Sequence, residues 1–186
     1  MKIDKLQYID ISEPIFNCTV YEGDTASTMT QVRDMSCGDE YNLTDVSMCL
    51  HNGTHIDAPS HFLSSGKTID KLDLSLMCGS AQVVSADKID EHFVPKSTRI
   101  LIKDSVYGLE RALYRLNYYD IVLIGVDCSS VGDAQVHRSL LAKDIVILEN
   151  IVLKSVAEGV YNLLCLPINF NGCEASPVRA ILLRND

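Results

Sequence analysis

The twelve residues from His51 to Phe62, HNGTHIDAPSHF, hold three of the chain's five histidines together with an aspartate, a glycine and a proline. No other stretch limits the backbone so strongly. Gly53 and Pro59 oppose a continuous helix, and a helix that joined His51 to His55 on one face would turn Asp57 away from both. An extended chain has period two, so His51, His55, Asp57 and His61 would all leave on one face. At about 3.3 Å per residue a straight strand sets His51 roughly 13 Å from His55, and Gly53 can supply the bend or bulge that closes the gap. The segment is therefore expected at a strand end, with the strand holding the first ligand and the following loop wrapping the others around an ion.

Neutral imidazole and carboxylate are the donors that zinc, manganese and iron accept from proteins. A lone histidine on an apolar strand is more often a hydrogen-bonded core or surface residue than a ligand. Four such donors in phase within eleven residues point to a metal or catalytic role for the group.

The rest of the composition narrows the classes. With 186 residues, 47% hydrophobic and 22% charged, the chain suits one globular domain over residues 1–186. A net charge of -9 argues against nucleic acid or anionic membrane as partners and favours a small molecule. The opening MKIDKLQYIDIS has no apolar h-region and nothing later is long enough to span a bilayer, so a cytoplasmic location is expected. Seven cysteines without a CxxC pair resemble reduced core thiols. Cys49, two residues before His51, is the one thiol placed to be a nucleophile, and buried cysteines are usually inert.

Patterning predicts strands over residues 6–12, 27–36 and 41–50, the last leading straight into the histidine stretch. Residues 63–76 read as a loop and a short amphipathic piece able to line the pocket. Residues 78–87 and 98–104 read as buried strands joined by a short helical connection over 87–93 that contains His92, a solvated residue outside the site. Leu109, Ala112, Leu113 and Leu116 have helical spacing, and residues 121–127 form a central apolar strand closed by Asp127. A helix N-capped by Asp133 carries His137, the strand 145–150 delivers Glu149, and strands over 161–170 and 177–184 complete an α/β domain.

The histidine stretch matches H-x-G-T-H-x-D-x-P-x-H at all seven fixed positions. It thereby resembles the family of bacterial kynurenine formamidases, isatin hydrolase-like enzymes and cyclase-type proteins. The stretches Ile9 to Ile15, Tyr21-Glu22-Gly23-Asp24, Gly125-Val126-Asp127 and Ser176 to Ala180 resemble further family signatures. The resemblance implies a swivelling β/β/α fold with a mixed or barrel-like sheet, association as homodimers or homotetramers, and one or two divalent ions, zinc first and manganese second. It implies that His51, His55 and Asp57 bind a first metal, that Asp57 bridges to a second held also by His137 and Glu149, and that His61, near or touching the metal, is the catalytic acid and base. Read without the family, His137 could equally pair on a helix surface and Glu149 could be a solvated strand-end charge. Glu22 stands where the family has proline, Cys128 and Ser129 stand where Thr-Pro is common, and tryptophan is absent. A flat arylamide pocket would draw on Phe16, Tyr21, Phe62 or a neighbouring subunit.

The expected activity is metal-dependent hydrolysis of a small amide, formamide or cyclic imide. A metal-dependent cyclase or lyase, or a lactone hydrolase, is the alternative. A non-catalytic metal-binding protein fits less well, because structural zinc sites are usually rich in cysteine.

Overall fold

A computed structural model describes residues 6–185 of the chain. The expectation of no leader over residues 1–12 falls partly outside them, as do the ends of the 1–186 domain. Eleven strands and two α-helices occur among the described residues: β1 (Leu6–Asp10), β2 (Thr28–Arg33), β3 (Leu43–Ser47), β4 (His55–Asp57), β5 (Cys78–Ser85), β6 (Arg99–Lys103), α1 (Leu109–Leu116), β7 (Leu123–Val126), α2 (Ala134–Leu141), β8 (Val146–Glu149), β9 (Gly159–Leu164), β10 (Ala175–Pro177) and β11 (Ile181–Asn185). Nine of these strands make one mixed sheet in the order β1-β11-β9-β5-β6-β7-β8-β4-β10. β5 to β8 run parallel and the remaining pairs antiparallel.

Strict alternation within the parallel strands builds two cores. Ile100, Ile102, Ile124 and Ile147 face the helices and pack with Ala112, Leu116 and Leu141. Leu101, Leu123, Val146 and Leu148 face the other way and pack with Ile11, Ile56, Tyr161 and Leu182 as the sheet curls over itself. This is the expected β/β/α layering. Gly125 faces the second core, where a Cβ would lie 2.5 Å from a Leu101 side-chain methyl and 3.0 Å from one of Ile151, so the core side chains fill the space above its backbone.

Several sequence expectations are corrected. β2 and β3 pair only with each other in a separate sheet and are solvent-exposed along their length, because each face of the pair mixes polar with apolar residues and offers no continuous apolar surface to bury. The chain from Ser47 to His55 is a loop, so β3 does not run into the histidines. Residues 87–93 form a short 3-10 turn over Ala86–Lys88 and an Asx turn in which the Asp90 carboxylate accepts from the His92 amide, a local bond that competes with helix. The strand expected over 161–170 stops at Leu164, and the one over 177–184 is divided between β10 and β11. Residues 63–76 line no part of the site, since Ile69 and nearby Met77 are buried in the second core. Among the described residues no helix is long and apolar enough to cross a membrane.

Candidate metal centre

β4 lies between β8 and β10, and its register sets His55 opposite Glu149 and Asp57 opposite Ile147. His55 and Glu149 thus meet at the carboxyl end of the parallel strands, where open α/β sheets place their ligands. His137 comes from the first turn of α2, whose N-cap Asp133 accepts from the amides of Gln135 and Val136. The fully extended reading of residues 51–61 is corrected here. Only His55–Asp57 is strand, His51 lies in a turn and His61 ends a 3-10 turn begun by Pro59.

The convergence of the four donors depends on the bend at Gly53. Its φ is +66°, and a Cβ there would sit 3.2 Å from the Glu13 carbonyl oxygen. The chain can therefore fold back so that the His51 and His55 rings lie 5.0 Å apart. Thr54 fixes the bend by donating its hydroxyl to the Asn150 carbonyl at 2.5 Å and accepting from the Glu13 amide at 2.7 Å. A second close approach holds His61: a Cβ on Gly66 would come within 2.4 Å of the Pro59 backbone, where the Ser60 amide donates to the Lys67 carbonyl.

Six side chains surround one small volume. His51 Nδ1 is 3.1 Å and His55 Nε2 3.5 Å from Asp57 Oδ1, and His137 Nε2 is 3.7 Å from Asp57 Oδ2. Glu149 reaches His55 Nε2 and His137 Nε2, each at 3.4 Å, through different oxygens. The His61 ring lies 4.2 Å from that of His51. Two three-donor groups result, His51 with Asp57 and His61, and His55 with Asp57 and Glu149, and Asp57 belongs to both. His61 thus groups with His51 while His55 stands nearer Glu149, a division that differs from the one the family resemblance implies.

The donor chemistry fits a divalent cation. His55 Nδ1 lies 2.9 Å from the Gly53 carbonyl and His137 Nδ1 2.9 Å from the Asp133 carbonyl. A carbonyl can only accept, so each Nδ1 carries the proton and each Nε2 offers its lone pair to the site. His55 Nε2 and both oxygens of Asp57 are buried without a hydrogen-bond partner. Leaving a carboxylate in that state is costly, and a cation among these atoms satisfies all three. Donors each about 2.1 Å from one tetrahedral ion would stand about 3.4 Å apart, close to the separations seen.

Electrostatics divides the imidazoles. Burial lowers the pKa of His55 and of His137, but Glu149 and Asp57 outweigh it and both rise above the ordinary histidine value. Burial raises that of Glu149, and its bonds with His137 and His55 outweigh this and hold it low. His61 moves the other way, since burial dominates and lowers its pKa against the pull of Asp57. Burial raises the Cys49 thiol, and the residue is outside the cavity lining, both of which count against a thiolate nucleophile there.

A cavity of about 310 Å³ opens on this cluster, at the small end for ligand sites. Tyr21 and Phe62 line it and Phe16 does not, while Thr19, Asp24, Ser129 and Asn150 line it without having been singled out as site residues. Asp24 had a signal in the Tyr21-Glu22-Gly23-Asp24 turn, and Ser129 had one in the Cys128-Ser129 pair that stands where Thr-Pro is common. His92 is remote, its side chain 85% exposed.

Comparisons with known proteins place this geometry. A family model described as "Putative cyclase" matches residues 9–149. A kynurenine formamidase of Bacillus cytotoxicus is 33% identical, with 95% of this chain and 97% of that protein covered. Another from Bacillus anthracis is 31% identical, with 98% and 99% covered. Among solved structures, a potential metal-dependent hydrolase with cyclase activity superposes with a TM-score of 0.81 at 23% identity, over 98% of this chain and all of that one (100%). Isatin hydrolase A from Labrenzia aggregata superposes with a TM-score of 0.75 at 17% identity, over 97% and 94%. Sequence and fold agree, and the chain belongs to the putative cyclase family.

Proposed function

We propose that this chain is a metal-dependent hydrolase of a small amide, formamide or cyclic imide, and that residues 1–186 act as one catalytic domain. The observation that carries the reading is the orphaned, buried carboxylate of Asp57, shared by two donor groups whose other members line a small cavity. The kynurenine formamidases at 31% and 33% identity support a carbon–nitrogen bond as the target. In this reading His51, His55, Asp57, His137 and Glu149 hold one or two divalent ions, zinc or manganese, with His61 beside them. The chemistry such an ion supplies when bound is acidification of water, toward a pKa of about 7, and polarisation of a carbonyl.

His61 has separate work. A water oxygen bonds to the acyl carbon, the carbon–nitrogen bond breaks, and the amine needs a proton because it leaves poorly as an anion. A neutral imidazole, the form that burial favours at His61, takes the water's proton and returns it to that nitrogen. Asp57 and Glu149 offset cationic charge below, and Phe62, packed edge-on at 4.3 Å from His61, shields that ring from bulk water.

The test is metal content measured alongside turnover of N-formyl aryl amines, cyclic imides and lactones in ¹⁸O-labelled water. Label in the acid product supports hydrolysis. A cyclised product without label would favour the cyclase reading, and metal bound with every substrate untouched would favour a non-catalytic protein.

A further inference from the structure

We infer that Glu174 is a positioning residue of the metal centre: its carboxylate takes the proton on the outward His51 nitrogen, Nε2, and so leaves Nδ1 to face the cation with its lone pair. This rests on the metal-site reading above. The imidazoles carry the argument when compared ring by ring. His55 and His137 each spend Nδ1 on a backbone carbonyl, of Gly53 and of Asp133, at 2.9 Å, and each presents Nε2 to the site. His51 is turned the other way. Its Nδ1 is the nitrogen 3.1 Å from Asp57 Oδ1, and its Nε2 stands 3.6 Å from Glu174 Oε1. A ligating histidine needs a partner for its other ring nitrogen to fix tautomer and orientation, and here that partner is a carboxylate rather than a carbonyl.

Backbone register puts Glu174 there. The Ala58 amide donates to the Glu174 carbonyl at 2.8 Å, and the next residue, Ala175, pairs with Asp57 where β10 meets β4. The ladder that seats one carboxylate at Nδ1 of His51 therefore seats another at Nε2. Glu174 belongs to neither three-donor group and does not line the cavity, so it acts through His51 and not on substrate. The opposite tautomer is disfavoured at both nitrogens. It would set the Nε2 lone pair against the Glu174 oxygen, two acceptors with no proton between them, and would put a proton between Nδ1 and the cation. The Glu174 side chain is 44% exposed, so a small swing closes the contact to hydrogen-bond length, and solvent moderates its charge.

Ring ¹⁵N and proton spectra of the zinc-loaded protein read the tautomers directly. His51 is expected to be protonated at Nε2 and bound through Nδ1, while His55 and His137 show the reverse. The His51 Nε2 proton, drawn downfield by a carboxylate acceptor, should move upfield in Glu174→Gln while the ring protons of His55 and His137 hold still. Zinc affinity, measured by chelator competition, should fall about tenfold in Glu174→Ala and less in Glu174→Gln, whose amide oxygen still accepts the proton. His51 bound through Nε2, an unmoved Nε2 proton in Glu174→Gln, or parental zinc affinity in Glu174→Ala would each overturn the inference. The glutamine variant keeps the shape of the parent, so its spectrum decides the matter even where the alanine variant folds poorly. A parent that takes up no zinc, manganese or cobalt ends the metal-site reading and this inference together, whereas a parent that binds zinc with His51 reversed ends this inference alone.

Discussion

The donors at the floor of the centre and those at its rim are held in different ways. His55, Asp57 and Glu149 sit on adjacent hydrogen-bonded strands and are at most 4% exposed. Their spacing is therefore set by a sheet ladder with a core on both sides. His51 and His61 sit on a turn and a 3-10 turn, and the His51 side chain is 16% exposed. A strand-borne cluster holds its geometry whether or not the loops shift, whereas a loop-borne imidazole can adjust to a substrate. The floor suits retention of a cation and the rim suits movement of a proton.

The sharpest way to break this division is to remove the group common to both halves. Asp57→Asn keeps shape and removes charge, and it should lower turnover by about 10³-fold or more and strip most metal. Elemental analysis beside steady-state kinetics checks it, and a variant that kept its full metal complement would refute the shared role of Asp57. The next largest effect is at the rim. His61→Ala should cost about 10²- to 10⁴-fold in kcat while most metal stays bound. If metal leaves together with activity, His61 is a ligand first and the two halves are one.

A milder change sharpens the contrast without touching a donor. Gly66→Ala forces a methyl to within 2.4 Å of the Pro59 backbone, so the turn bearing His61 must shift. Overpacking of this kind costs about 1–3 kcal/mol of stability. Chemical denaturation should register that loss, and kcat should fall while metal affinity at the floor is unchanged. Equal damage to metal affinity would mean that the rim turn also sets the floor.

The donors of the rim were legible in the sequence and those of the floor only in part, for a physical reason. The donor types and the bend at Gly53 follow from local chemistry, and the Asp133 cap and apolar run of α2 fix where His137 rides on its helix. Which donors neighbour which depends on long-range register. The pairing of His55 with Glu149 joins residues far apart in the chain, and β10, three residues that close the far side of β4, has no periodic signal of its own. Uniform alternation from His51 to His61 suggested a single strand, but an alternating pattern cannot report a turn that folds the same residues onto one point. The exposed β2–β3 pair was predicted as strand correctly and placed wrongly, since alternation gives local conformation and not the sheet a strand joins.

The smallest expected effect concerns a carboxylate that braces the loops behind the rim. Asp70 accepts from the Thr68 hydroxyl at 2.6 Å and the Gly172 amide at 3.1 Å, and pairs with Lys71 at 3.0 Å. Beside it the Ile69 amide donates to the Cys173 carbonyl, so the segment following His61 is tied to the one that leads through Glu174 into β10. The Thr68 hydroxyl, then the Gly172 amide and Lys71, hold the Asp70 pKa well below the ordinary carboxylate value. A carboxylate with a depressed folded-state pKa contributes stability that is fully present above its unfolded value of about 3.8 and is lost as pH falls from there through the folded value. Asp70→Asn should therefore lower stability modestly near neutral pH, and the gap from the parent should close as acid protonates Asp70. Urea midpoints measured for both proteins from about pH 7 down to about pH 2.5 check the sign. A gap that widened in acid would show that Asp70 stabilises as a neutral acid, and the loop brace would then lie in shape rather than charge.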